Sequence, residues 1–233
     1  MTWSVRLSRL ILVLGLALAA TVAAAPANAA TSSGCSREYS YAGFQSATRG
    51  YGVAAEISAQ SAPDVASGHV AGWVGVGGVG WGPNGTSEWL QVGLAAFAGD
   101  ATSELYYEVT RPHDTARLHI VKSGIRTGQS FKLGVLEMAH RSSWWRVWVN
   151  GRPVTRPIYL PASDGAWHPQ ALAESWNGGT GACNDFAYHF EHVVVAHGRG
   201  GNWGPMRAGT TWHDPGFSLL GRAARSFLAS ASF

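Results

Sequence analysis

The stretch Ser87-Glu88-Trp89-Leu90-Gln91-Val92-Gly93-Leu94 decides the fold class. Successive side chains of an extended strand point to opposite faces, so Leu90, Val92 and Leu94 share one side and Trp89, Gln91 and Gly93 the other. One face is apolar and the other mixes rings with a carboxamide. Such a segment fits an antiparallel sheet that packs one side on a core and leaves the other open.

The same alternation recurs outward from this stretch. In Glu104-Leu105-Tyr106-Tyr107-Glu108-Val109, the residues Glu104, Tyr106 and Glu108 share a face. In Ala171-Leu172-Ala173-Glu174-Ser175-Trp176, Glu174 and Trp176 do. Trp144, Arg146, Trp148 and Asn150 alternate with Trp145, Val147 and Val149, and Asn150-Gly151 is a type I′ hairpin signal. Strands are expected near 39–44, 51–58, 69–76, 88–97, 104–111, 117–121, 131–138, 144–150, 158–160, 170–176 and 185–196. Gly, Pro, Asn and Ser separate them, and no long 3.6-residue period interrupts them. The expected fold is therefore all-β, a two-sheet antiparallel β-sandwich.

The ends of the chain read differently. Arg6 and Arg9 precede an apolar run from Leu10 to Ala25, and Ala27-Asn28-Ala29 supplies a small-x-small cleavage pattern. Residues 1–29 are expected to be a secretory signal peptide, which implies a secreted protein with no stable membrane anchor once the leader is removed. The sandwich is expected over 30–197. Residues 198–233 read as a Gly-rich linker and a tail, in which Phe217, Leu220, Ala224, Phe227 and Leu228 either form one stripe of a short helix or belong to a frayed terminus.

Composition removes several function classes. The chain carries 17 Lys and Arg against 14 Asp and Glu; without Arg6 and Arg9 the balance is 15 − 14 = +1, so nucleic acid is not an expected partner. The run from Gly77 to Gly85 lacks the Lys-Ser/Thr ending of a phosphate loop and reads as a connection between strands. His189 and His192 fall on opposite faces of a regular strand, and no His-Glu-x-x-His occurs, so no metal site is expected. No Gly-x-Ser-x-Gly elbow is present. Cys35 and Cys183 are the two cysteines, and in an exported chain they are expected to form a disulfide.

What remains is an open sheet face carrying Gln91, Glu108 and Glu174 among Trp73, Trp89, Tyr106, Trp148 and Trp176. Flat rings supply contact area and the polar groups supply orientation, as a ligand groove requires. A carboxyl beside a carboxamide also provides a general base and an oxyanion donor.

Four segments occur in a telling order. They are Gly72-Trp73-Val74-Gly75-Val76, Trp89-Leu90-Gln91-Val92-Gly93, Tyr106-Tyr107-Glu108 and Ala173-Glu174. This set resembles the glutamic peptidase (eqolisin) family over roughly residues 48–196. The resemblance implies a concanavalin A-like jelly roll that binds polypeptide, with Gln91 and Glu174 as the catalytic pair, Glu108 as an acid held nearby, and no metal or cofactor. It implies a secreted glutamic-type endopeptidase working at acid pH. Three positions depart from the family pattern: Gly77 and Gly178 stand where it has acids, and Ser175 where it has tryptophan. Those departures keep open a second reading, a non-catalytic binding module that uses the aromatic face for glycan or polypeptide.

Overall fold

The computed structural model describes Cys35 and residues 37–233, so the expected leader at 1–29 lies outside the described residues. Seventeen strands follow in chain order. The first six are β1 (Tyr39–Ser46), β2 (Gly52–Ala59), β3 (Asp64–Val65), β4 (His69–Gly78), β5 (Glu88–Phe97) and β6 (Ser103–Thr110). Next come β7 (Arg117–Ile125), β8 (Ser130–Glu137), β9 (Trp144–Val149), β10 (Arg152–Pro153), β11 (Ile158–Tyr159) and β12 (Gln170–Trp176). The last are β13 (Asn184–Gly198), β14 (Gly201–Pro205), β15 (Ala208–His213), β16 (Phe217–Ala223) and β17 (Ser226–Ala231).

They form two antiparallel sheets, a jelly-roll sandwich. One has seven strands in the order β15-β1-β12-β4-β5-β6-β7, and the other has ten, seven of them in the order β10-β9-β8-β2-β13-β17-β16, with β11 beside β9 and both β14 and β3 beside β13. The apolar phase of β5 explains the packing: Leu90, Val92 and Leu94 are fully buried and belong to one core with Val53, Ile57, Leu133, Val135, Trp145 and Phe190 of the opposite sheet. Each fully buried Val, Leu or Ile contributes roughly 1.5–3 kcal/mol. Trp145 carries the one polar atom in that group, and its indole N–H donates to Ser163 Oγ at 2.7 Å. The Asn150-Gly151 turn has φ +49° and +76°, the left-handed pair a type I′ hairpin needs.

The C-terminal segment departs from expectation. Residues 198–233, read as linker and tail, supply β14–β17, and no helix forms there. Gly198 to Gly201 is a tight turn that pairs β13 with β14. Phe227, Ala229 and Ala231 point inward at a period of two, while Leu220 is 60% exposed, so the expected helical stripe is split. Phe227 stacks on Phe190 with ring centroids 4.5 Å apart and meets Phe44 edge-on at 4.9 Å. An apolar pattern that fits both periods is settled by the face available to bury it, and here that face is the sandwich core.

A second departure lies in β13. Its pairing with β2 slips between Glu191 and Val194, and His192 takes φ +53°. Phe190 and Val193 are both buried with two residues between them, so the bulge turns His189 and His192 to the same outward side.

Cys35 and Cys183 form the disulfide, with Cα atoms 5.0 Å apart and a sequence separation of 148. It fastens the segment ahead of β1 to the start of β13.

Candidate functional site

The outward face of the seven-stranded sheet holds a cavity of about 600 Å³. Register determines which side chains meet there. Residues directly opposite one another across an antiparallel pair point to the same side. Gln91 on β5 stands opposite Gly75 on β4 and Glu108 on β6. Glu174 on β12 stands opposite Ala71 on β4. Trp73 on β4 lies between them and Tyr106 on β6 stands opposite Gly93 on β5, both packed with Ala71, Ala95 and Leu172 in a small buried cluster on this face.

Glu174 is 8% exposed, and both its oxygens are engaged. Oε2 accepts the indole N–H of Trp73 at 2.9 Å, and Oε1 lies 3.2 Å from His69 Nε2. Gln91 donates through Nε2 to Tyr106 Oη at 3.2 Å. Glu108 Oε1 accepts the Trp89 indole N–H at 2.7 Å. The strand geometry makes room for this. A Cβ on Gly75 would sit 2.8 Å from Gln91 Cβ, so a side chain at that position displaces the carboxamide.

Burial shapes the protonation of the cavity. It pushes the Glu108 carboxyl up from the usual range; the Trp89 hydrogen bond opposes this, the charge of Glu174 adds to it, and His69 opposes it. Burial, with the charge of Glu174 second, pushes the phenols of Tyr41 and Tyr106 well up. Both shifts favour the neutral phenol.

Six of the eight residues expected on this face line the cavity: Gln91, Glu174, Glu108, Trp73, Trp89 and Tyr106. Trp176 shares the face but stands at its margin, 5.4 Å from the His69 ring and 6.1 Å from Tyr39, its indole N–H on Glu38. Trp148 is a correction. It lies on β9 in the ten-stranded sheet, away from the cavity, because alternation assigns a side chain to a face of its strand and not to a sheet.

Of the further residues that line the cavity, His69, Tyr41 and Trp212 bear most on the site. His69 was legible in principle, since it sits at the same phase as Trp73 on β4. Tyr41 shares the phase of Tyr39. Trp212 comes from β15, within the segment read as a tail, and meets Tyr41 edge-on at 5.8 Å.

Gly77 and Gly178 both have left-handed backbones. Gly77 has φ +86°, and a Cβ there would lie 2.2 Å from the Glu88 carbonyl oxygen. Gly178 has φ +66°. An L side chain at Gly77 is excluded unless the β4–β5 hairpin moves.

No family model matches the chain, and no curated protein matches it. Among solved structures it is similar to scytalido-glutamic peptidase with a transition state analog inhibitor, at TM-score 0.55 and 15% identity, covering 84% of this chain and 99% of that one. The sandwich has the fold of a glutamic peptidase. A second structure of that peptidase, with a peptide based transition state analog, gives TM-score 0.49 and 15% identity at the same coverages. SCP-B, a member of the eqolisin family of peptidases in a complex with the tripeptide Ala-Ile-His, gives 0.48 and 17%, again over 84% and 99%. At such identities the likeness to the glutamic-peptidase sandwich is one of fold, and the chemistry rests on the side chains of this chain.

Proposed function

We propose that this chain is a secreted endopeptidase of the glutamic type, hydrolysing peptide bonds at acid pH with Gln91 and Glu174. The observation that carries the reading is the setting of Glu174: a nearly buried carboxyl held at both oxygens, in the same cavity as a carboxamide, on a sandwich of this fold.

The chemistry needs neither metal nor cofactor. Ionised Glu174 takes a proton from a water, whose oxygen bonds to the scissile carbonyl carbon. The carbonyl oxygen gains negative charge as the tetrahedral intermediate forms. Gln91 Nε2 has two N–H groups; one faces Tyr106 Oη and the other is available to that oxyanion. Glu174 then gives its proton to the amide nitrogen as the C–N bond breaks. Burial pushes the Glu108 carboxyl up, which disfavours a second negative charge beside Gln91.

Substrate is expected to be an extended polypeptide lying over the rings of Tyr41, Trp89 and Trp212. The apolar run with its small-x-small site and the Cys35–Cys183 disulfide support an exported protein. A binding-only reading draws on Gly77 and Gly178, which leave the site without the acids of the family pattern. Cleavage of an unfolded protein across acid pH, measured beside Glu174→Gln, separates the two. Hydrolysis by the wild type alone supports the peptidase, and silence from a folded wild type leaves the binding module.

A further inference from the structure

Glu174 is gripped by one strand. Its partner in register is Ala71, and the residues two before and two after Ala71 on the same face are His69 and Trp73. Ala71 offers only a methyl group, so the carboxylate lies between the two rings. Trp73 closes on Oε2 and His69 on Oε1. Trp73 donates at every pH. His69 can change its charge, and among the described residues it is the one titratable group bonded to Glu174.

We infer that His69 is a positioning residue for Glu174, and that its charge sets the pH range over which Glu174 acts as a base. This rests on the peptidase reading. An imidazolium 3.2 Å from the carboxylate favours the ionised form that can accept a proton from water. Neutral imidazole with its N–H on Nε2 keeps the bond without the charge. Neutral imidazole with a bare Nε2 facing Oε1 holds the carboxyl only when the carboxyl is protonated, which removes the base.

The surroundings leave this role to His69. From β1, the phenols of Tyr39 and Tyr41 face the pair; from β6, Tyr106 and Glu108 do. Asp214 lies beyond Tyr41 and is bound by Arg37 at 2.6 Å, and Glu38 lies behind Trp176. The phenols stay neutral. Glu108 is the nearer acid, and burial first, with the charge of Glu174 after it, pushes its carboxyl toward the neutral form. From β5 the ring of Phe97 packs on His69 at 5.9 Å and carries no charge. His69 is thus the group at this carboxyl that favours its anion by charge, in a site whose Gly77 backbone excludes an additional carboxylate.

The test compares pH profiles of kcat/KM for wild type, His69→Gln and His69→Ala, with the ring titration of His69 followed by NMR in wild type and Glu174→Gln. Glutamine reaches with an N–H where Nε2 stood but carries no charge. The acid limb is expected to move toward neutral pH in both His69 variants. The rate at the optimum should fall less for glutamine than for alanine. The His69 ring should lose its proton at lower pH in Glu174→Gln than in wild type. A structural role alone lowers rate or stability and leaves the limb in place. An active wild type whose limb is unmoved in His69→Gln, or a His69 titration indifferent to Glu174→Gln, overturns this inference and spares the peptidase. A folded wild type that cleaves nothing overturns both.

Discussion

Replacing Glu88 by glutamine isolates one buried charge whose effect on stability is worked from its surroundings. Glu88 faces inward at the start of β5, is fully buried, and accepts one long hydrogen bond from the Ala162 N–H at 3.3 Å, while Oε1 has no partner. Burial pushes its carboxyl up to about 7 from an ordinary 4.5, against the Ala162 hydrogen bond and the charge of Arg111. A carboxyl raised in the folded state binds more protons there than in the unfolded chain. Its contribution is therefore fully present below pH 4.5 and is lost as pH rises through about 7. At 1.36 kcal/mol per unit, rounded down, the loss is about 2–3 kcal/mol. For a domain of this size that corresponds to about 4–12 °C in Tm. Melting wild type and Glu88→Gln by calorimetry at pH 4.5 and pH 8 measures it directly. Glu108 and Glu137, also pushed up by burial, are present in both proteins and cancel in the comparison. The wild-type drop in Tm between the two pH values should exceed that of the variant by this amount. Parallel drops would refute the reasoning.

Three further outcomes follow from the geometry. Gln91→Ala should lower kcat by about 10²–10³-fold with the fold intact, the cost of one oxyanion donor, and an undiminished rate would remove Gln91 from the mechanism. Gly77→Asp should lower Tm and give no gain in rate, because its Cβ meets the Glu88 carbonyl at a left-handed backbone position; a more active and equally stable variant would contradict the backbone argument. Reduction of Cys35–Cys183 releases a 148-residue loop, worth about 5 kcal/mol in the chain-entropy description, so Tm should fall clearly on reduction.

Much of the fold was legible because alternation is a strong signal where one face is buried. β5 and β12 span the expected residues, and the Asn150-Gly151 turn takes the dihedrals its composition calls for. The shared face of Gln91 with Trp89, of Glu108 with Tyr106 and of Glu174 with Trp176 was legible for the same reason. Sheet membership was not. Nothing local to Trp144–Val149 says that β9 pairs with β8, so Trp148 was assigned to the wrong side of the molecule. The bulge at Glu191 and His192 also leaves no mark in composition, and it reverses the relation between His189 and His192. The C-terminal strands were missed because short apolar residues at mixed spacing suit two periods, and the long-range partners Phe44 and Phe190 decide between them. His69 became meaningful only with the register that places it across Ala71 from Trp73, a pairing between segments about a hundred residues apart.

The central claim is that Glu174 hydrolyses peptide bonds, and proteolysis tests it most directly. An unfolded protein substrate should be incubated with the disulfide-bonded domain and with Glu174→Gln, from pH 3 to 7, with both proteins verified as folded. The account predicts cleavage by the wild type in the acid range and none by the variant. Equal cleavage by the two would remove Glu174 from the chemistry, and no cleavage by a folded wild type at any pH would contradict the claim outright.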